Sequence, residues 1–269
     1  MEYEIKPSER FKLGLREIWQ YRELFYFFTW RDIRVKYKQT LLGFAWAFLQ
    51  PLAFMLVFSL VFRRNFEGLS VPYPLFVFSG LIIWNVFTGG ITGAGNSMVS
   101  NAHIIKKIYF PRLIVPVSSV LVALFDFLMT TPLLVILMVW YNVSPAWSQL
   151  WMIIPAILLT GLAATGPGCF LAALNVKYRD FRYVIPFLVQ LLLFVTPVIY
   201  PMNYFQSEWL QHLLALNPMS APVNMFRSFI TGEEINTMHC LISIASGIMW
   251  MAIGLFVFRK TEKYFADLA

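Results

Sequence analysis

The sequence predicts an all-α polytopic membrane protein with six transmembrane helices, an N-terminal amphipathic interface helix and short re-entrant helices between spans five and six. Three observations carry that prediction. The 269 residues are 59% hydrophobic and 13% charged, against roughly 45–50% and about 25% in soluble domains. A water-solvated surface of normal polarity cannot be assembled from such a stock, which excludes a soluble enzyme as the first reading. Six apolar runs are each long enough to cross about 30 Å of hydrocarbon at about 1.5 Å per helical residue. Finally, the basic residues are segregated by side, as described below.

The runs are 41–62, 75–99, 113–141, 150–176, 183–200 and 240–258. Lipid offers the backbone no hydrogen-bond partners, and the strict alternation of a barrel strand is absent, so these runs are helices. They divide the chain into a cytoplasmic interface segment (1–40), a six-span domain (41–258) and a cytoplasmic tail (259–269). Of the 21 Lys and Arg residues, nine precede Leu41, three lie in 100–112, three in 177–182 and three after Phe258. Arg63, Arg64 and Arg227 fall on the other side. That bias places both termini in the cytoplasm, and the net charge of +7 reads as topology and anionic-lipid contact, with no nucleic acid as partner. Residues 1–40 lack the pattern of a signal peptide, so the first span is expected to direct insertion.

Outside the spans, 8–38 repeats apolar residues at helical spacing (Phe11, Leu15, Ile18, Trp19; then Tyr21, Leu24, Phe25, Phe28) with charges between them, the pattern of a helix lying along the cytoplasmic interface. The segment 100–112 starts with Ser100 and Asn101 as candidate caps and stops at Pro111, which predicts one or two helical turns. Its Ile104, Ile105, Ile108 and Tyr109 are too few to span, so the apolar face needs a covering partner. In 201–239 two apolar pieces, 204–216 and 218–230, are each too short to cross and predict re-entrant or interfacial helices. Gly89 and Gly93 stand four apart, suited to close approach of helices.

Catalytic constellations are missing. His103, His212 and His239 stand at no metal-ligand spacing, Cys169 and Cys240 are unpaired in pattern, and neither a G-x-S-x-G nor a G-x-x-x-x-G-K-[ST] motif occurs. No metal is expected, and energy for uphill transport must come from elsewhere. Asp126 is the one carboxylate within a predicted span, an intramembrane polar candidate. A hydrogen bond to Ser118 or Thr130 at helical spacing is the favoured reading over ion coupling.

Several motifs in order carry a family resemblance. Trp30-Arg31-Asp32-Ile33-Arg34-Val35-Lys36-Tyr37-Lys38-Gln39-Thr40, Leu42-Gly43, Trp46 and Gln50-Pro51 are followed by the 101–112 segment, by Asn175-Val176-Lys177-Tyr178-Arg179-Asp180-Phe181, by Pro186, Gln190 and Thr196-Pro197, and by Leu216-Asn217-Pro218-Met219. Together they resemble type-2 ABC exporter permeases, most closely those exporting lipid-linked polysaccharides such as O-antigen, capsule or teichoic acid. The resemblance implies a non-enzymatic transmembrane subunit in the cell inner membrane, paired with a second copy of itself. Two copies of an ATP-binding cassette subunit would bind ATP and Mg, with no cofactor in this chain. It further implies a coupling helix comprising Asn101, His103, Ile104, Ile105, Lys106, Lys107, Ile108 and Tyr109. Arg31, Arg34, Lys36 and Lys38 would contact the pyrophosphate of an undecaprenyl-linked glycan, or else membrane headgroups, and Tyr204, Trp209, Asn217 and Pro218 would form an external gate. A lipid or drug efflux permease of the same architecture is the alternative, and a non-transporting scaffold is a third.

Overall fold

A computed structural model describes residues 15–38, 45–66, 68–178 and 180–262. The start of the interface segment, the motif residues Gln39, Thr40, Leu42 and Gly43, Arg179 and the tail from 263 lie outside the described residues. The helices are α1 (Leu15–Gln20), α2 (Arg22–Lys38), α3 (Ala45–Phe62), α4 (Tyr73–Ser100), α5 (Ala102–Ile105), α6 (Ile114–Trp140), α7 (Ile153–Lys177), α8 (Phe181–Val195), α9 (Glu208–Ala215), α10 (Ser220–Thr231) and α11 (Thr237–Thr261). Short 3₁₀ helices occupy Arg63–Phe66, Trp147–Met152 and Met202–Tyr204, and no strand occurs among the described residues. The chain is therefore an all-helical integral membrane protein.

Among the described residues, five helical stretches are long and apolar enough to cross a membrane: Ala45–Phe66, Tyr73–Ser100, Ile114–Trp140, Trp147–Lys177 and Thr237–Thr261. The run 183–200 is the exception. Its helix, α8, has 15 residues, about 22 Å against about 30 Å of hydrocarbon. Pro197 disfavours the helical conformation at Thr196, whose backbone is extended (φ −88°, ψ 138°), and the chain leaves the helix there.

The centre of the bundle is α4. Pro72 and Pro74 pre-set its first turn, and Leu75, Phe76, Val77, Phe78, Leu81, Ile82 and Ile83 are all buried between α3, α6, α7, α8 and α10. By contrast α3 packs on α4 and α6 along one side and leaves Trp46, Leu56, Leu60 and Val61 exposed. The 204–216 and 218–230 pieces are the helices α9 and α10. The second is no loose surface loop: Ala221, Pro222, Val223, Phe226 and Ile230 are buried against α4, α7 and α11.

Small residues set the helix spacing. Gly89 and Gly93 face Ala123 and Ser119 of α6, as their spacing suggested. The closest backbone approach lies elsewhere, where Gly166 of α7 meets Gly254 and Met251 of α11; a Cβ on Gly166 would stand 2.6 Å from the Met251 nitrogen. Without a hydrophobic driving force between helices in lipid, such close contact carries much of the association.

α2 does not cross the end of the bundle. It runs lengthwise along the first half of α6, burying Phe28, Ile33 and Tyr37, with Phe28 against Phe110, Thr29 beside Ser118 and Tyr37 beside Phe125.

Gly166→Ala is expected to force α7 and α11 apart at a cost of about 1–3 kcal/mol. Gly161→Ala, with open space around its Cβ position, should leave stability unchanged. Apparent Tm of the purified protein in detergent distinguishes the two.

Candidate functional site

A cleft of about 680 Å³ opens along the bundle. Trp46, Gln50, Phe54 and Phe58 line it from α3, Trp84, Asn85, Thr88 and Thr92 from α4, and Pro186, Gln190 and Phe194 from α8. Lys36, Tyr37, Asp126 and Thr130 complete the lining. The wall is mostly apolar and aromatic, with amide and hydroxyl groups set between the rings. Six of the residues carrying the family resemblance, Lys36, Tyr37, Trp46, Gln50, Pro186 and Gln190, meet here although they lie on three different helices.

Asp126 finds its partners on α2. Lys36 Nζ lies 2.5 Å from Asp126 Oδ2, and the Tyr37 hydroxyl donates to Asp126 Oδ1. The expected bond to Ser118 or Thr130 does not form: Ser118 Oγ donates to the Ile114 carbonyl, and Thr130 Oγ1 to the carbonyls of Asp126 and Phe127. A carboxylate inside a span needs a charge-assisted partner more than it needs a hydroxyl, and packing α2 along α6 delivers one. Sequence reasoning held both halves of this pair without joining them; the signal was an intramembrane acid beside a basic amphipathic segment.

The four basic residues of 31–38 separate into two kinds. Arg31 is committed inward, to Asp32 at 2.6 Å and to Asn101 Oδ1 at 2.6 Å, with its guanidinium over the Phe28 ring. Lys36 is held by Asp126. Arg34 and Lys38 point outward and meet no carboxylate among the described residues; Arg34 stacks on Trp30, beside a shallow groove lined by Phe27, Trp30, Arg31, Arg34, Val35 and Lys38.

The 101–112 segment also splits. Asn101 does not cap α5; its side chain donates to the Ser97 carbonyl and accepts from Arg31, tying α2 to the end of α4. Ile105 is 5% exposed, in a cluster with Phe28 and Phe110, whereas Ile108 is 61% and Tyr109 82% exposed. His103, Lys106 and Lys107 are exposed as well, and Ile104 is half-buried. The negative charge of Glu17, followed by partial burial, raises the Tyr109 phenol above its ordinary pKa.

At the opposite end, Tyr204 and Trp209 are exposed, while Asn217 is a brace. Its Nδ2 donates to Thr196 Oγ1, its Oδ1 accepts from the Met219 amide, and its carbonyl accepts from Ser243. Pro218 is half-buried beside it. Arg227, which sequence reasoning counted only as an outer charge, is 4% exposed. It donates to the Pro197 and Val198 carbonyls at 3.0 and 2.8 Å and lies 3.7 Å over the Phe76 ring. His212 and His239, 27 residues apart in sequence, bring their rings to 5.2 Å, and among the described residues no three potential metal ligands cluster.

An all-helical multi-span bundle with an open, aromatic-lined cleft is the architecture of a membrane-embedded transport subunit. Residues 23–231 match the ABC-2 type transporter family, and the chain belongs to that family. Relatives include the O-antigen export system permease protein RfbA of Myxococcus xanthus, 30% identical over 257 residues that cover 92% of this chain and 96% of that protein. The RfbA protein of Klebsiella pneumoniae is 28% identical over 89% of this chain and 92% of its own. The polysialic acid transport protein KpsM of Escherichia coli is 22% identical over 87% and 91%.

Asp126→Ala removes both contacts to α2. The cost is expected at about 1–2 kcal/mol, below the about 3–5 kcal/mol of a fully buried pair because Lys36 is half exposed to solvent. Faster proteolysis between α2 and α3, together with a lower apparent Tm, is the measurement; an unchanged digestion pattern would refute the clamp.

Proposed function

We propose that this chain is the channel-forming subunit of an ATP-driven exporter that moves lipid-linked polysaccharide from the cytoplasmic to the outer side of the inner membrane. The observation that carries this reading is the cleft, whose alternation of aromatic faces with amides suits a passing glycan. Aromatic faces stack weakly on sugar rings, and conduction needs weak repeated sites rather than one tight one. Relatives named for O-antigen export and polysialic acid transport support a polysaccharide as cargo.

The cleft is half of a channel. α3 leaves much of its apolar length uncovered, and a second copy facing it would close the path. α8 with the turn at 196–200 completes the six crossings, which places both termini in the cytoplasm in accord with the basic bias. Two ATP-binding cassette subunits, holding ATP and Mg, dock on His103, Lys106, Lys107, Ile108 and Tyr109, with Asn101, Ile104 and Ile105 anchoring that surface from behind. Arg34 and Lys38 meet the carrier's diphosphate first. Lys36 joins them by exchanging the Asp126 carboxylate for phosphate, and Arg31 positions α2. Tyr204 and Trp209 form the external gate, hinged at Asn217 and Pro218.

Deleting the gene is expected to strip the polysaccharide from the cell surface and accumulate undecaprenyl-linked glycan on the cytoplasmic face; unchanged surface glycan would overturn the reading. For docking, Ile108→Asp with Tyr109→Asp should sharply reduce recovery of the ATPase with the tagged chain while membrane insertion stays normal. Undiminished recovery would remove these residues from the interface.

A further inference from the structure

We infer that the cavity beside Arg227, at the end of the bundle opposite α5, is a binding subsite for a single neutral sugar residue. The inference rests on the reading of the chain as a polysaccharide exporter and deepens it by naming where one unit of the polymer is held. The cavity lies between the Met202–Tyr204 turn, α9, α10 and the 232–236 loop, separate from the aromatic cleft. Its volume is about 170 Å³. That is room for one sugar ring or a handful of waters at about 30 Å³ each, and it falls short of the roughly 300–1,000 Å³ of sites for drug-sized ligands.

The wall holds more hydrogen-bonding capacity than the protein itself uses. Arg227 commits both terminal nitrogens to backbone carbonyls, and its Nε, though without a partner, is sealed from the cavity, so this side chain contributes charge to the wall. Asn224, half-buried, makes no side-chain hydrogen bond among the described residues, and neither do Asn203 and Glu234 at the rim. Gln211 donates to the Phe205 carbonyl and keeps its own carbonyl oxygen free, and Glu233 uses one oxygen on Ser70. Buried polar groups are normally satisfied within the protein, and groups at an open cavity are left to water or a ligand. Here donors and acceptors, amide and carboxylate, converge on one small space, which is what the hydroxyls of a sugar require, each acting as both donor and acceptor. Charge selects further. Two carboxylates at the rim against one buried guanidinium disfavour an acidic sugar, whose own carboxylate would meet Glu233 and Glu234.

The test uses the chain assembled with its ATPase partner in lipid nanodiscs, with methyl glycosides of glucose, galactose and mannose and the methyl glycoside of N-acetylneuraminic acid as probes, read by saturation-transfer NMR. At least one neutral glycoside is expected to receive saturation, with its binding weakened about fivefold by Asn224→Ala, the loss of one neutral hydrogen bond. Glu234→Gln, which keeps hydrogen bonding and removes charge, should strengthen the acidic probe relative to wild type. Sugars bound in the aromatic cleft would give a signal indifferent to both variants. Such an indifferent signal, no signal, or a wild-type preference for the acidic sugar overturns the subsite. Surface glycan in the deletion strain, restored by the wild-type gene, reports on export independently, so failure of the subsite and failure of the exporter reading are told apart.

Discussion

The end of the bundle opposite α5 is organised around backbone carbonyls left without helical partners where α8 stops. A broken helix within a membrane protein is tolerated only if protein groups satisfy the freed polar atoms, because lipid cannot. Two separate elements do so here, and a third braces the break through a side chain. Arg227 of α10 donates to the Pro197 and Val198 carbonyls, Tyr73 at the start of α4 donates to the Ile199 carbonyl, and Asn217 between α9 and α10 donates to the Thr196 hydroxyl. This requirement accounts for a buried arginine in a short helix: its two terminal nitrogens match two successive carbonyls, and its planar face rests on Phe76. It also accounts for the burial of α10, since the donor can reach the break only if its helix enters the bundle.

The α5 end of the bundle is held by a different device. α2 is joined to α6 through the Asp126 contacts and to the end of α4 through Arg31 and Asn101. Because Lys36 and Asp126 also line the cleft, the contact that anchors α2 stands at the margin of the space where cargo would pass. Any movement of α2 relative to α6 therefore changes the charge presented to the cleft.

Much of this was legible in the sequence and some was not. The runs around α3, α4, α6, α7 and α11 were found to within a few residues because hydropathy is a property of the local chain. Ending the fifth run at residue 200 placed too much weight on hydropathy and too little on Pro197, whose effect on Thr196 is equally local. In the 101–112 segment the apolar residues were recognised, but not that Ile105 faces Phe28 and Phe110 while Ile108 and Tyr109 face outward. Within so short a helix, the inward face is chosen by α2, which approaches from about 75 residues earlier in the chain.

The sequence by itself determined residence in the membrane, helical architecture, the distribution of charge between the two ends and the family, since each follows from composition, run length or motif order along the chain. Tertiary structure alone decided the partners of the isolated charges: Asp126 with a lysine 90 residues away, and Arg227 with carbonyls about 30 residues away. It also decided which glycines touch, since Gly166 meets a neighbour 88 positions later in Gly254. The physical reason is common to all of these. Insertion into lipid is a sum over local segments, whereas satisfaction of a buried charge or a bare backbone depends on which distant groups side-chain packing brings within hydrogen-bond reach.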